Sequence, residues 1–303
     1  MIKRLLGVVP VVFGVLLLTF LLVHLVPGDP IEVMLGESAP MADRAKLRAE
    51  LGLDQSLPVQ FLHYLQALAH GDFGYSIHTR KPIADMLLIR IPATAALALC
   101  ALAIAIGLGL PLGIIAALRQ GKWQDGLATL SSLTLSAMPH FWLGPLLMLL
   151  FALWLGWLPV SGMSEPGSIV LPALTLGFGL AAILTRMTRA SMLEVMNEDF
   201  VRTARAKGIN EHKVILRHAL RAALLPIVTV VGLQLGSLLA GTVITETVFG
   251  WEGIGRLLVE SIEKRDYPVT QACVVVIALT YVVINLLTDL LYTRIDPRVR
   301  FAS

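Results

Sequence analysis

The chain has 303 residues, of which 56% are hydrophobic and only 15% charged, against roughly 45–50% and 25% in an ordinary soluble protein. Its 24 Lys and Arg against 21 Asp and Glu leave a net charge of +3, so there is no dense basic face to neutralise nucleic-acid phosphates. Cys100 and Cys273 lie in apolar runs and share no motif with each other or with histidine; they read as small core residues, not as a disulfide framework or a zinc site.

Crossing a bilayer as a helix takes about 20 apolar residues at 1.5 Å each. Uncharged runs of that length recur at 5–28, 91–118, 126–164, 166–185, 222–245 and 267–288. The third is too long for one helix and is expected to include an outer turn at Trp157-Leu158-Pro159. Helices satisfy their own backbone in hydrocarbon, so the pattern predicts an all-α polytopic membrane protein with six transmembrane helices. The first run follows Lys3 and Arg4 as a secretory signal would, but it lacks small residues for cleavage and reads as a retained helix.

The connections carry the orientation. Lys3, Arg4, Arg119, Lys122, eight basic residues within 186–221, and Arg294, Arg298 and Arg300 fall on one side, against Arg256, Lys264 and Arg265 in the short loops of the other. Positive loops stay cytoplasmic, so both termini are expected inside. The chain then divides into an N-terminal tail and first span (1–26), an outer connection with short helices (27–90) and a core (91–303) holding five spans and an inner hairpin at 186–221.

In the outer connection, Pro27-Gly28-Asp29-Pro30 stops the first helix, since proline cannot continue it and Gly-Asp favours a turn. Residues 43–51 read as a short helix, Phe61, Leu65 and Leu68 share the face of another, and Gly71-Asp72-Phe73-Gly74 breaks the pattern. A cap over the helix ends and a docking surface for an extracytoplasmic partner both suit a loop of this length.

The inner hairpin is the most informative stretch. Leu193, Met196, Phe200, Val201 and Ala204 draw one apolar stripe along a helix, with Glu194, Glu198, Asp199, Arg202, Arg205 and Lys207 over the rest of its surface. Gly208 ends that helix, and Asn210 can cap a second one carrying Lys213, Val214, Ile215, Arg217, His218 and Arg221. Such a hairpin either lies on anionic headgroups or presents a rigid lever to another protein. The outer loop 246–266, with Phe249-Gly250-Trp251-Glu252-Gly253-Ile254-Gly255, reads as a re-entrant or interfacial hairpin with Trp251 as an interface anchor.

The signatures Gly-x4-Gly-Lys-Ser/Thr, His-Glu-x-x-His and Gly-x-Ser-x-Gly are absent, and the histidines are scattered, which leaves no visible ATPase, metal enzyme or hydrolase. None of the uncharged runs carries the Asp, Glu, Lys or Arg that proton- or sodium-coupled carriers place on their pathway. Transport against a gradient would therefore need a separate motor.

Glu198-Asp199-Phe200-Val201-Arg202-Thr203-Ala204-Arg205-Ala206-Lys207-Gly208, with Arg217-His218-Ala219-Leu220-Arg221 and Leu225-Pro226 after it, closely resembles the cytoplasmic loop of ABC importer permeases of the dipeptide, oligopeptide and nickel group. So do Pro27-Gly28-Asp29-Pro30, Arg186-Met187-Thr188-Arg189-Ala190-Ser191-Met192-Leu193-Glu194, Glu246-Thr247-Val248-Phe249 and Arg265-Asp266-Tyr267-Pro268, and the likeness runs to Asp296-Pro297-Arg298. Against the general permease motif, Ala204, Gly208 and Leu220 match, while Arg202 and Thr203 replace its Glu and first Ala, and His218 and Arg221 its Ile and Pro. Glu252 stands where relatives commonly have Pro after Trp.

The resemblance implies a type I importer permease fold in a bacterial inner membrane and a heteromeric machine. Its other parts would be a homologous second permease, two cytoplasmic ABC ATPases that consume the ATP, and an extracytoplasmic substrate-binding protein. This chain would be no enzyme and would bind no cofactor or metal. Its cargo would be short peptides, with nickel, glutathione or another small solute as the alternative. Asp199, Arg202, Ala204, Arg205 and Gly208 would sit in an ATPase groove. Within the membrane, Gly232-x3-Gly236 permits close helix packing, and Gln234, Ser237, Thr242 and Asn285 are the polar groups placed to line a path or to pack between helices. Pro111, Pro139 and Pro172 are candidate kinks. Apart from the family, a non-transporting scaffold with a lipid-binding basic hairpin is the reading of another class.

Overall fold

The computed structural model describes residues 2–25, 31, 40–50, 52 and 54–295; the motifs at 27–30 and 296–298 and some side chains, that of Ser237 among them, lie outside the described residues. Among the described residues the regular structure is helical, with an isolated bridge between Tyr75 and Pro82. The helices are α1 (Ile2–Leu25), α2 (Met41–Glu50), α3 (Leu57–Ala69), α4 (Ile83–Leu118), α5 (Trp123–Ala137), α6 (His140–Leu147), α7 (Val170–Val195), α8 (Asp199–Ala206), α9 (Glu211–Lys213), α10 (Leu220–Phe249), α11 (Ile254–Glu263) and α12 (Tyr267–Ile295). Wider π-helical turns extend α6 through Met148–Trp154 and join α9 to α10 through Val214–Ala219.

Among the described residues four helices are long and apolar enough to cross a membrane: Ile83–Leu118, Val170–Val195, Glu211–Gly236 and Tyr267–Thr288. The pair Trp123–Ala137 and His140–Trp154, bent by 110°, makes a fifth when counted as one span, and α1 contributes the shorter apolar stretch Gly7–Leu21. Runs 91–118, 222–245 and 267–288 lie wholly in helix, the first does so through Leu25, and 166–185 enters helix at Val170; the described residues thus give four spans, or five with the bent pair, where six were expected. The third run, however, breaks at Met138-Pro139 as well as at its outer turn, where Trp157 N–H donates to the Phe151 carbonyl over 2.9 Å. Pro139 is held extended at φ −65°, ψ 143° as the N-cap of α6, and a proline at such a cap has no N–H to lose. Pro172 lies in the first turn of α7, where a proline is equally harmless, and Pro111 sits inside an unbroken α4.

The chain groups into two compact units, Met1–Thr94 with Glu252–Val282, and Ala95–Trp251 with Val283–Ser303. In the first, Ile83, Leu87, Ile254, Leu257, Val269, Ala272 and Cys273 form a buried apolar cluster. Helix α3 packs on α1 through aromatic rings, Phe61 lying 5.8 Å from Phe13 and 5.2 Å from Phe20 between centroids. The motif Arg265-Asp266-Tyr267-Pro268 acquires a structural role here. The buried Asp266 carboxylate accepts Ser76 Oγ at 2.5 Å and the Ile77 N–H at 3.2 Å, and so ties the loop 75–82 to the start of α12. The segment after α10 differs from the expected hairpin. Gly250 caps α10 in the left-handed region, and an ordinary amphipathic helix, α11, follows. Trp251 is 5% exposed, a core residue and not an interface anchor.

The second unit is built around α7. In its most apolar stretch 61% of the residues are buried, against 22% in the other three spans, which makes α7 the central helix. Its neighbour α4 approaches it backbone to backbone along Ala101, Ala105, Gly109 and Gly113, all buried. A Cβ on Gly113 would lie 2.5 Å from Thr188 Cβ and 2.7 Å from the Thr185 carbonyl, and one on Gly109 2.7 Å from Leu184 Cβ. Small residues at four-residue spacing are what close helix packing in lipid requires.

Candidate functional site

The hairpin between α7 and α10 is where the sequence places the exchange of energy. The predicted stripe assumes one continuous helix from Leu193 to Ala204; the structure breaks it in two. Helix α7 ends at Val195, the Asn197 side-chain amide donates to the Leu193 carbonyl over 3.0 Å, and Glu198, extended at φ −71°, ψ 148°, starts α8. Asn competes for backbone groups in this way, which is why it ends helices. The break rotates the apolar positions. Val201 and Ala204 turn inward and are 0% and 6% exposed, while Phe200 stays 44% exposed on the outside.

At its far end α8 closes with a reciprocal pair of backbone bonds, Gly208 N–H to the Arg205 carbonyl at 2.9 Å and Ile209 N–H to the Ala204 carbonyl at 3.3 Å. That pattern demands a left-handed residue after the helix, and Gly208 supplies it at φ +74°. Asn210 then caps the next helix as expected, its Oδ1 accepting the His212 N–H at 3.0 Å. Arg205 reaches across the turn to Glu211, Nη2 to Oε1 at 2.8 Å and Nε to Oε2 at 3.2 Å. This pairing raises the Arg205 guanidinium above its ordinary pKa. Arg202 and Asp199 stay exposed on the outer face and form a looser pair at 3.5 Å.

Of the five residues predicted to dock, Asp199, Arg202, Arg205 and Gly208 therefore lie on the accessible surface, and Ala204 is turned inward. Phe200 belongs with the accessible set. Its aromatic ring suggests the inner stripe, and only the break at Asn197 reveals otherwise. Because the apolar face of α8 is used up within the chain, little of it is left to insert among headgroups, which weakens the lipid-adhesion reading.

Among the predicted pathway residues, Gln234 and Asn285 are half-buried on α10 and α12, Thr242 is buried at 2% exposure, and the Ser237 side chain lies outside the described residues. Gly232 is a point of close packing, where a Cβ would run into Thr288 Cγ2 of α12. Among the described residues no group of His, Cys, Asp and Glu is arranged to hold a metal ion.

Residues 109–301 match the family described as binding-protein-dependent transport system inner membrane component, and residues 1–98 match its N-terminal counterpart. The chain belongs to this family of ABC importer permeases. It is 45% identical over 300 residues to the glutathione transport system permease protein GsiC of Escherichia coli K12, covering 99% of this chain and 98% of that one. The proteins of the same name from Salmonella typhimurium and Pectobacterium atrosepticum are 44% and 45% identical over 99% of this chain and 98% of theirs. Two solved structures share the fold. One is the MetNI methionine ABC transporter in inward-facing conformations, with TM-score 0.60, 16% identity, and 70% of this chain and 96% of that chain covered. The other is an amino acid ABC transporter with histidines, with TM-score 0.51, 18% identity, and 71% and 94% covered. The multi-pass inner-membrane permease read from hydropathy and motifs is thereby established.

Proposed function

We propose that this permease forms, with a homologous second permease, the path of an importer for glutathione or a peptide of similar size. An extracytoplasmic binding protein delivers the cargo, and two cytoplasmic ATPases drive the cycle through the hairpin between α7 and α10. The observation that carries the cargo assignment is the full-length similarity to permeases named for glutathione. Glutathione is itself a short peptide, so the peptide class expected from the motifs and the named relatives converge. The docking assignment is supported by the outward polar face of α8, with Asp199, Arg202, Arg205 and the exposed Phe200 around a rigid capped turn. The basic residues of this hairpin favour the cytoplasmic side, with both termini. In this reading Gln234, Ser237, Thr242 and Asn285 are the polar groups offered to the path, with Gln234 and Asn285 half-buried and Thr242 enclosed in the single chain.

Affinity purification in mild detergent followed by native mass spectrometry tests the assembly, and uptake of radiolabelled glutathione by proteoliposomes of the purified complex tests the cargo. Co-purification of a second permease and an ATPase with saturable, ATP-dependent glutathione uptake is the expected result. Absence of a nucleotide-hydrolysing subunit would overturn the assembly. A nickel ion or an unrelated solute on the binding protein, with no glutathione uptake, would overturn the cargo alone.

A further inference from the structure

One charged cluster in the second unit lies apart from the docking face. Arg189, on α7 two turns before the helix ends, donates Nε to Asp125 Oδ1 at 2.5 Å and Nη2 to Oδ2 at 2.8 Å. Asp125 sits in the first turn of α5 and also accepts the Gly121 N–H at 3.0 Å, from the turn that joins α4 to α5. Its side chain is 8% exposed and that of Arg189 30%. A two-point bond between planar groups fixes orientation as well as distance, and the third bond, to Gly121, extends that grip to the backbone of the turn. The Arg186-Met187-Thr188-Arg189 motif is not otherwise accounted for by the docking surface.

We propose that Arg189 and Asp125 are positioning residues that carry displacement of the α7 end into the α4–α5 turn, so that an ATPase acting on α8 also moves α5. The inference rests on the docking role of the hairpin. Two features set the route. Helix α8 follows α7 after a three-residue turn, so a push on α8 is delivered to α7. Helix α7 is clasped along its length by the small-residue face of α4, so it moves as a body. At its inner end the Arg189–Asp125 clasp is the charged link to the next helix. Because the pair holds orientation as well as distance and is anchored to the Gly121 N–H, a shift of the α7 end is passed to the turn while the clasp stays closed.

Hydrogen exchange read by mass spectrometry on the assembled importer, with and without ATP and vanadate, separates the possibilities. In the wild type, nucleotide is expected to change the exchange of the hairpin amides 198–210 and also that of the turn 119–126, the latter by about threefold or more. In Asp125→Asn the hairpin response should persist while the turn response is lost. A merely structural clasp would loosen the turn in both states and leave its nucleotide response in place. Arg189→Lys keeps the charge but not the two-point bond and should also lose the response, which provides the test should Asp125→Asn fail to assemble. A responsive hairpin with an unresponsive wild-type turn would overturn the clasp alone, as would a turn response retained in both variants. An importer in which neither segment responds would overturn both the clasp and the docking role.

Discussion

Gly208 separates two reasons for a glycine at the tip of the hairpin. Its φ is +74°, and a Cβ added there meets nothing within 4 Å in this chain. The intrinsic cost of any ordinary side chain is therefore the left-handed backbone alone, about 1–2 kcal/mol, which lowers the population of the closed turn by roughly five- to thirtyfold. Gly208→Ala and Gly208→Leu should then weaken hairpin protection equally in the isolated permease, read as hydrogen exchange of the amides at 207–209. Gly208→Asn should do little, because Asn tolerates the left-handed region. Insertion and the packing of the spans should be unchanged. In the assembled importer the series should split: if the partner backbone approaches this turn, Leu becomes much worse than Ala for ATP-driven uptake. Equal damage by Asn and Ala in the isolated chain would refute the backbone argument. Equal uptake by the Ala and Leu variants would refute the close approach.

Three further perturbations test the packing and the anchors. Gly232→Ala places a Cβ against Thr288 and should cost about 1–3 kcal/mol through overpacking, seen as a lower unfolding midpoint in detergent and partly reversed by adding Thr288→Ala. Asp266→Asn leaves an acceptor for Ser76 and the Ile77 N–H but removes its charge; with about 1 kcal/mol separating a charged from a neutral bond, proteolysis within 75–82 should speed up severalfold. Glu211→Gln removes the partner of Arg205, but both side chains are substantially exposed. The loss in hairpin protection should stay below about 1 kcal/mol and should disappear in high salt.

The apolar helices were legible because hydrocarbon imposes length and apolarity directly on the sequence, and most of each uncharged run, where described, lies in helix, although four or five spans stand where six were expected. Hairpin punctuation was legible for a similar local reason. Gly208 and Asn210 act on neighbouring backbone groups within a few residues, and both take the roles their types predict. What was not legible depends on competition or on distance. The apolar stripe from Leu193 to Ala204 follows helical spacing, yet the Asn197 amide interrupts it and leaves Phe200 outside. Trp251 has the composition of an interface anchor and is enclosed instead. The bond from Asp125 to Arg189 joins residues 64 positions apart, which no periodicity reports. The stripe of Ala101, Ala105, Gly109 and Gly113 was a missed signal, since its four-residue spacing is plain in a run otherwise read only for length.

These small-residue contacts bear on how the proposed ATPases could drive this permease. A force applied at α8 is useful only if the helix behind it does not absorb the displacement by bending. Helix α7 meets that requirement through burial and through glycine-mediated contact with α4, because a close-packed interface has little free volume to compress. The contrast is with α5 and α6, where Met138-Pro139 and the π-helical turns of Met148–Trp154 interrupt the regular helix. On the proposed docking role, stiffness in α7 would let the central helix transmit, and the 110° bend at Met138-Pro139 would be where a change of angle costs least.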